Sequence, residues 1–132
     1  MQFTDNEAIY LQIAGYVGEH ILRGQWPPEQ KIPSVRDLAA DLQVNPNTVM
    51  RTYEFLQGQG TITNKRGIGF FVASDAGERV RAYRRERFLQ QELPAFFNTI
   101  SLLGIGFEEL RQRYEQYSAA PAATPVPSPH EN

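Results

Sequence analysis

Five residues, Leu42-Gln43-Val44-Asn45-Pro46, leave almost no room between two helices. Upstream, Val35, Leu38, Ala39 and Leu42 recur at helical spacing, Ser34 can cap the start, and Asp37 three residues on makes an approximate capping box. Downstream, Asn45 is a good N-cap and Pro46 stands at the first helical position, where its missing N–H costs nothing. That helix runs to about residue 57, burying Val49, Tyr53 and Leu56 or Phe55, until Gly58 and Gly60 end it. Two helices joined by so short a break constrain the chain to a helix-turn-helix arrangement.

The flanking segments fit the same plan. Ile9, Ile13, Val17, Ile21 and Leu22 mark one face of a preceding helix, and Gly24 is placed to stop it. Trp26-Pro27-Pro28 then forms a rigid loop, because two prolines bar helix continuation. After the third helix, Thr61-Ile62-Thr63 and Phe70-Phe71-Val72 flank Asn64-Lys65-Arg66-Gly67-Ile68-Gly69, two β-prone runs around a glycine-containing turn. Three helices followed by a hairpin is the order of a winged helix-turn-helix.

Beyond residue 73 the pattern is helical. Asp75 caps an expected long helix over 76–103, with Val80, Tyr83, Leu89, Phe96, Phe97, Ile100 and Leu103 as apolar positions, a kink at Pro94 and an end at Gly104. A second helix over 107–117 offers Phe107, Leu110, Tyr114 and Tyr117. Residues 75–117 number 43, too few to hold a core without metal, disulfide or oligomerisation. Pairing with a second copy is the simplest remedy, and packing on the chain's own first domain is the alternative. The expected dimerisation residues are Val80, Tyr83, Leu89, Phe96, Phe97, Ile100, Leu103, Phe107, Leu110 and Tyr114. Residues 118–132 carry four prolines and no core-forming periodicity, and are expected to be disordered. The expected class is mainly α with a small β-hairpin: a winged helix-turn-helix over 1–73, a C-terminal helical hairpin for dimerisation over 74–117, and the tail.

Composition removes several function classes. With 0 cysteines there is no disulfide, thiol nucleophile or cysteine-ligated metal, which fits a reducing cytoplasm. His20 has no evident partner and His130 lies in the tail, so neither metal nor cofactor is expected. No nucleophile–base pair or carboxylate cluster points to an enzyme. Gly67-Ile68-Gly69 lacks the third glycine and the strand-to-helix setting of a dinucleotide fingerprint. No apolar run reaches the roughly 18 residues of a membrane span, and the polar, acidic N-terminus is not a secretory signal.

Certain segments are more specific than their layout: Tyr10-Leu11-Gln12-Ile13, Lys31-Ile32-Pro33-Ser34-Val35-Arg36-Asp37-Leu38-Ala39, Val44-Asn45-Pro46-Asn47-Thr48-Val49-Met50-Arg51-Thr52-Tyr53, Gly60-Thr61-Ile62, and Lys65-Arg66-Gly67-Ile68-Gly69-Phe70-Phe71-Val72. Together, over residues 8–73, they closely resemble the DNA-binding domain of the GntR family of bacterial transcriptional regulators. Asn45-Pro46-Asn47-Thr48-Val49 and the short remainder resemble its YtrA-type subfamily. The stretch Leu102–Leu110 is similar to the turn in that subfamily's dimerisation module, with Gly106 where a serine-like cap is usual.

The resemblance implies a cytoplasmic, dimeric regulator, in repressor form, of its own operon, often with transporter genes. The third helix is then the recognition helix in the major groove of double-stranded DNA. Asn45, Asn47 and Thr48 present short hydrogen-bonding groups there, and Arg51, one turn on, can reach a phosphate or a guanine edge. Arg36 corresponds to the family's DNA-contacting arginine, and Ser34 offers a phosphate its hydroxyl and a helix N-terminus. Arg66 and Gly67 match the wing tip placed in the minor groove, and Lys65 adds phosphate attraction. Pro46 and Met50 stand where some relatives use arginine, so those base contacts do not carry over. A small-molecule effector is compatible with this plan, but no residue names one.

Each of these residues has a plainer role. Ser34 and Asn45 cap helices, Arg36 and Arg51 are solvated charges, and Arg66-Gly67 is a hairpin turn. Arg79, Arg81, Arg84, Arg85 and Arg87 read as a solvated face with Glu78, Glu86 and other acids, with flanking DNA as the alternative. The net charge of −2 predicts no basic stripe. Position matters more: of six cations in residues 1–73, Arg36, Arg51, Lys65 and Arg66 fall on the proposed DNA face. The competing function is a winged helix reused as a protein-interaction module without specific DNA binding.

Overall fold

The structure, a computed structural model, describes residues 1–119. Its packing divides the chain into two units, Met1–Arg87 and a second beginning at Phe88. The first contains α1 (Ile9–Leu22), α2 (Val35–Leu42), α3 (Pro46–Gly58), β1 (Ile62–Lys65), β2 (Gly69–Val72) and α4 (Ala76–Arg87). The second contains a π-helical turn (Phe88–Glu92), α5 (Leu93–Leu102) and α6 (Phe107–Ala119).

The helical periodicity of the first unit becomes its core. Ile13, Val17, Leu38, Val49, Tyr53, Leu56, Ile62 and Val72 are all buried in one cluster. Two fully buried polar side chains of α3, Thr52 and Tyr53, are hydrogen-bonded. The Tyr53 hydroxyl donates to the Pro33 carbonyl at 2.7 Å, and the Thr52 hydroxyl lies 2.9 Å from the Tyr10 carbonyl and 3.1 Å from that of Thr48. These bonds tie α3 to α1 and to the entry of α2. Burial pushes the Tyr53 phenol well above its ordinary pKa, so it remains a neutral donor.

The α2–α3 break works through two devices. Asn45 caps α3 with its side-chain oxygen, 2.8 Å from the Asn47 amide. Upstream, α2 ends with Gln43 in the left-handed region at φ 58, while the Val44 amide reaches back to the Ala39 carbonyl at 3.0 Å. This is the glycine-type helix ending, here made by a residue with a side chain.

The wing pairs β1 and β2 antiparallel, Ile62 opposite Val72 through Lys65 opposite Gly69. Its turn closes with the Ile68 amide 2.8 Å from the Lys65 carbonyl, and Gly67 takes φ 78, where a Cβ would be strained. A third segment, invisible to the hairpin reading, lies along the free edge of β2. Lys31 bridges Phe71, the Ile32 amide donates to the Phe70 carbonyl and the Val72 amide to that of Gln30, both at 2.9 Å.

The boundary expected at residue 73 falls in the packing at Arg87, because α4 docks on α1. Ala76 and Val80 are buried in the first unit's core, and Tyr83 meets Phe55 edge-on at 5.6 Å. Gly18 permits that approach: a Cβ there would stand 3.2 Å from a Val80 methyl. The expected helix over 76–103 is one helical run over 76–102, with a π turn over Phe88–Glu92 that ends two residues before Pro94. Proline supplies no N–H and its ring clashes with the carbonyl four residues back, that of Gln90; a wider turn accommodates both defects.

In the second unit, α6 runs two residues past its expected end, so Ser118 and Ala119 are helical. The rest of the tail expected to be disordered, 120–132 with His130, lies outside the described residues. Neither α5 nor α6 has a buried residue.

Candidate nucleic-acid interface

All nine residues expected to bind DNA lie in the first unit. Ser34 and Arg36 open α2, Asn45, Asn47, Thr48 and Arg51 occupy the start of α3, and Lys65, Arg66 and Gly67 form the end of β1 and the wing turn. Eight are exposed and Thr48 is half-buried. The segments are held together through the core, since Leu38 of α2, Val49 and Tyr53 of α3 and Ile62 of β1 belong to one buried cluster.

Several of these side chains have work inside the fold. The Ser34 hydroxyl accepts from the Asp37 amide at 3.1 Å, and the Asn45 side-chain oxygen is taken by its own cap. The capping role and an outward role coexist, because each oxygen keeps a second lone pair and Asn45 keeps its NH2 group. The Arg51 guanidinium lies 4.0 Å from the centre of the Tyr10 ring. That cation–π contact holds the charge at the surface while leaving its N–H edge open to an anion. The Lys65 ammonium sits 4.2 Å from the centre of the Phe71 ring.

Three of the α4 arginines pair with acids, and two of those acids, Glu19 and Glu7, belong to the N-terminal part of the chain. Arg79 meets Asp75 at 2.9 Å and lies against the α3 C-terminus, 3.5 Å from the Gln59 carbonyl. Gly60, at φ 77, would drive a Cβ to 2.7 Å from that guanidinium. Arg84 bonds the Gly15 carbonyl at 2.9 Å and Glu19 at 3.3 Å, while Arg87 pairs with Glu7. Burial alone would raise the Glu19 pKa, but hydrogen bonds from Arg23 and Arg84 outweigh it and hold the carboxyl below its ordinary value. These arginines fasten α4 to the reading head. Arg81 and Arg85 are exposed.

The expected dimerisation residues divide in the same way. Val80 and Tyr83 are used within the first unit. Leu89, Phe96, Phe97, Leu103, Phe107 and Tyr114 are exposed, and Ile100 and Leu110 are half-buried. Leu102 (79% exposed) and Phe88 join this surface though neither was singled out from the sequence. Among the described residues no group of three His, Cys, Asp or Glu could hold a metal ion, and no helix is long and apolar enough to cross a membrane.

The capped α2–α3 pair, the wing and the cations along both define a winged helix-turn-helix DNA-binding regulator. Residues 9–72 match the profile of the bacterial regulatory proteins of the gntR family. Over 117 residues the chain is 32% identical to the HTH-type transcriptional regulator YhcF of Bacillus subtilis (strain 168), covering 89% of this chain and 95% of that protein. It is 31% identical over 111 residues to the HTH-type transcriptional repressor YtrA of the same organism, covering 84% and 85%. The crystal structure of a GntR-family protein from Bacteroides thetaiotaomicron superimposes with a TM-score of 0.74 at 49% identity, covering 84% of this chain and 96% of that one. The chain therefore belongs to the gntR family: it is a transcriptional regulator and not an enzyme.

Proposed function

We propose that the protein is a cytoplasmic repressor of the YtrA type that binds a near-palindromic operator as a homodimer. The observation that carries the dimer is the absence of any buried residue in α5 and α6, which with the connecting Leu103 expose Leu102, Phe107, Tyr114 and Tyr117. Burying a large apolar side chain is worth roughly 1.5–3 kcal/mol, so several such residues on two short helices favour a covering partner. A second copy supplies a self-complementary one. Two-fold pairing places two recognition helices one DNA turn, about 34 Å, or a multiple apart.

In this reading Asn45, Asn47, Thr48 and Arg51 address the major groove. Arg66 and Gly67 enter the minor groove, and Ser34, Arg36 and Lys65 hold the backbone. Repression follows from occupying promoter DNA, and the match to the YtrA repressor over 85% of its length supports that sign. The chain's own promoter is the first target to test. A small-molecule inducer, if one acts, would do so by altering the paired helices.

Sedimentation of the DNA-free protein and footprinting on its own promoter test the proposal together. A micromolar dimer and a two-fold symmetric footprint are expected. A clean monomer would count against the dimer, and affinity indifferent to salt would favour a protein-interaction module.

A further inference from the structure

The wing has two faces. Along β2 the pleat sends Phe70 and Val72 inward, with Phe70 edge-on to Tyr53 at 4.9 Å and Val72 buried. Gly69 and Phe71 therefore belong to the other face, with their β1 partners Lys65 and Thr63. On the opposite edge of β2, Lys31 pairs with Phe71 and joins that outward face.

Lys31 does not simply project into solvent. Its stem lies across Gly69: a Cβ there would stand 2.9 Å from the Lys31 Cε and 3.7 Å from Nζ. Gly69 is thus the opening over which the chain runs, and its φ of 144 is one that residues with side chains rarely adopt. Lys65 crosses the same strand in the other direction, from beside Gly69 to the Phe71 ring. Two lysine stems therefore run antiparallel over one strand, next to the turn that carries Arg66. Among the described residues neither lysine has an ion pair. Lys31 also precedes the α2 cap, Ser34, by three residues. Through its bridge to β2 it links the two elements assigned to the DNA backbone, the wing and the start of α2.

We propose that Lys31 is a further phosphate-backbone contact, laid along the wing by the open α-carbon of Gly69. This rests on the DNA-binding reading of the wing. A phosphate beside Lys31 and Lys65 turns their mutual repulsion into shared attraction, and it would not read sequence.

The test separates charge from stem. Binding of the full chain to a labelled, mixed-sequence duplex of about 30 base pairs is followed by anisotropy as salt rises from about 50 to 250 mM. Lys31→Met keeps the apolar stem and removes the charge; Lys31→Arg keeps the charge; Arg66→Ala reports on the wing itself. The expected result is a log K against log salt slope shallower by about 0.9 per engaged protomer for Lys31→Met, with Lys31→Arg like wild type. A wild-type slope in Lys31→Met beside a shallower one in Arg66→Ala overturns the proposal and leaves the wing reading intact. Salt-independent binding by the wild type overturns both. Equal melting temperatures for the three variants and wild type exclude a folding artefact.

Discussion

Asn45 carries two roles on one side chain, and they can be separated. Its oxygen caps α3 at 2.8 Å from the Asn47 amide, while the rest of the amide is exposed at the start of the recognition helix. Aspartate caps as well as asparagine. Asn45→Asp should therefore keep the urea midpoint while losing DNA affinity, because it sets a carboxylate against phosphates. Asn45→Ala should lose about 1 kcal/mol of stability as well. Equal destabilisation by both variants would show that the cap contributes little. Gln43 is the opposite case, a residue whose conformation matters more than its side chain. A left-handed L-residue costs about 1–2 kcal/mol, and glycine returns some of that gain as unfolded-chain entropy. Gln43→Gly should raise unfolding stability by about 0.5–1 kcal/mol, read from the same urea transition. The cap at Asn45 was legible from an Asn-Pro pair. The left-handed Gln43 was not, because only the demand that α3 follow within three residues imposes it.

At the scale of elements, α4 is where pattern and partner diverge. Ala76, Val80 and Tyr83 form an apolar stripe at helical spacing, visible in the sequence, but the stripe does not say which surface covers it. In the structure it is α1, with Phe55 of α3 meeting Tyr83, and the helix is fastened by Arg84 to α1 and by Arg87 to Glu7. The Glu19 carboxyl, held below its ordinary 4.5 by Arg23 and Arg84 against the opposing effect of burial, gives this attachment a pH dependence. A group whose folded pKa is lowered stabilises above its unfolded value, and that contribution fades as pH falls through the folded one. Both partners are about one-third exposed, so solvent screening limits the pair to about 0.5 kcal/mol. Wild type should melt slightly above Glu19→Gln at neutral pH, and the gap should close once pH drops well below 4.5. A gap that persists in acid would assign the effect to packing rather than charge. Arg84→Ala should add increased amide exchange in α4, because it also removes the bond that ties α4 to the Gly15 carbonyl of α1.

At the scale of the molecule, the proposed dimer turns two weak contacts with DNA into one strong one. Leu103 and Phe107 are 68% and 76% exposed, and neither supports the fold of the first unit. Leu103→Asp with Phe107→Asp should shift sedimentation to the monomer and leave the melting of residues 1–87 unchanged. Affinity for a two-half-site duplex should fall by about 10²–10⁴, because linked half-sites bind with high effective concentration. A variant that still sediments as a dimer would move the interface elsewhere. Much of this architecture was readable beforehand. The short break at Asn45-Pro46, the helical stripes of α1 to α3 and the glycine turn of the wing are local signals, written in spacing and in backbone preference. They determined the winged helix-turn-helix, and the quoted motifs tied it to a family. Three features were decided only by tertiary packing: the edge segment carrying Lys31, the docking of α4 on α1, and the use of its arginines as clamps. Each depends on which surface meets which across many residues. A stripe of apolar or charged residues records that a contact is needed, but its partner is set by the assembled core.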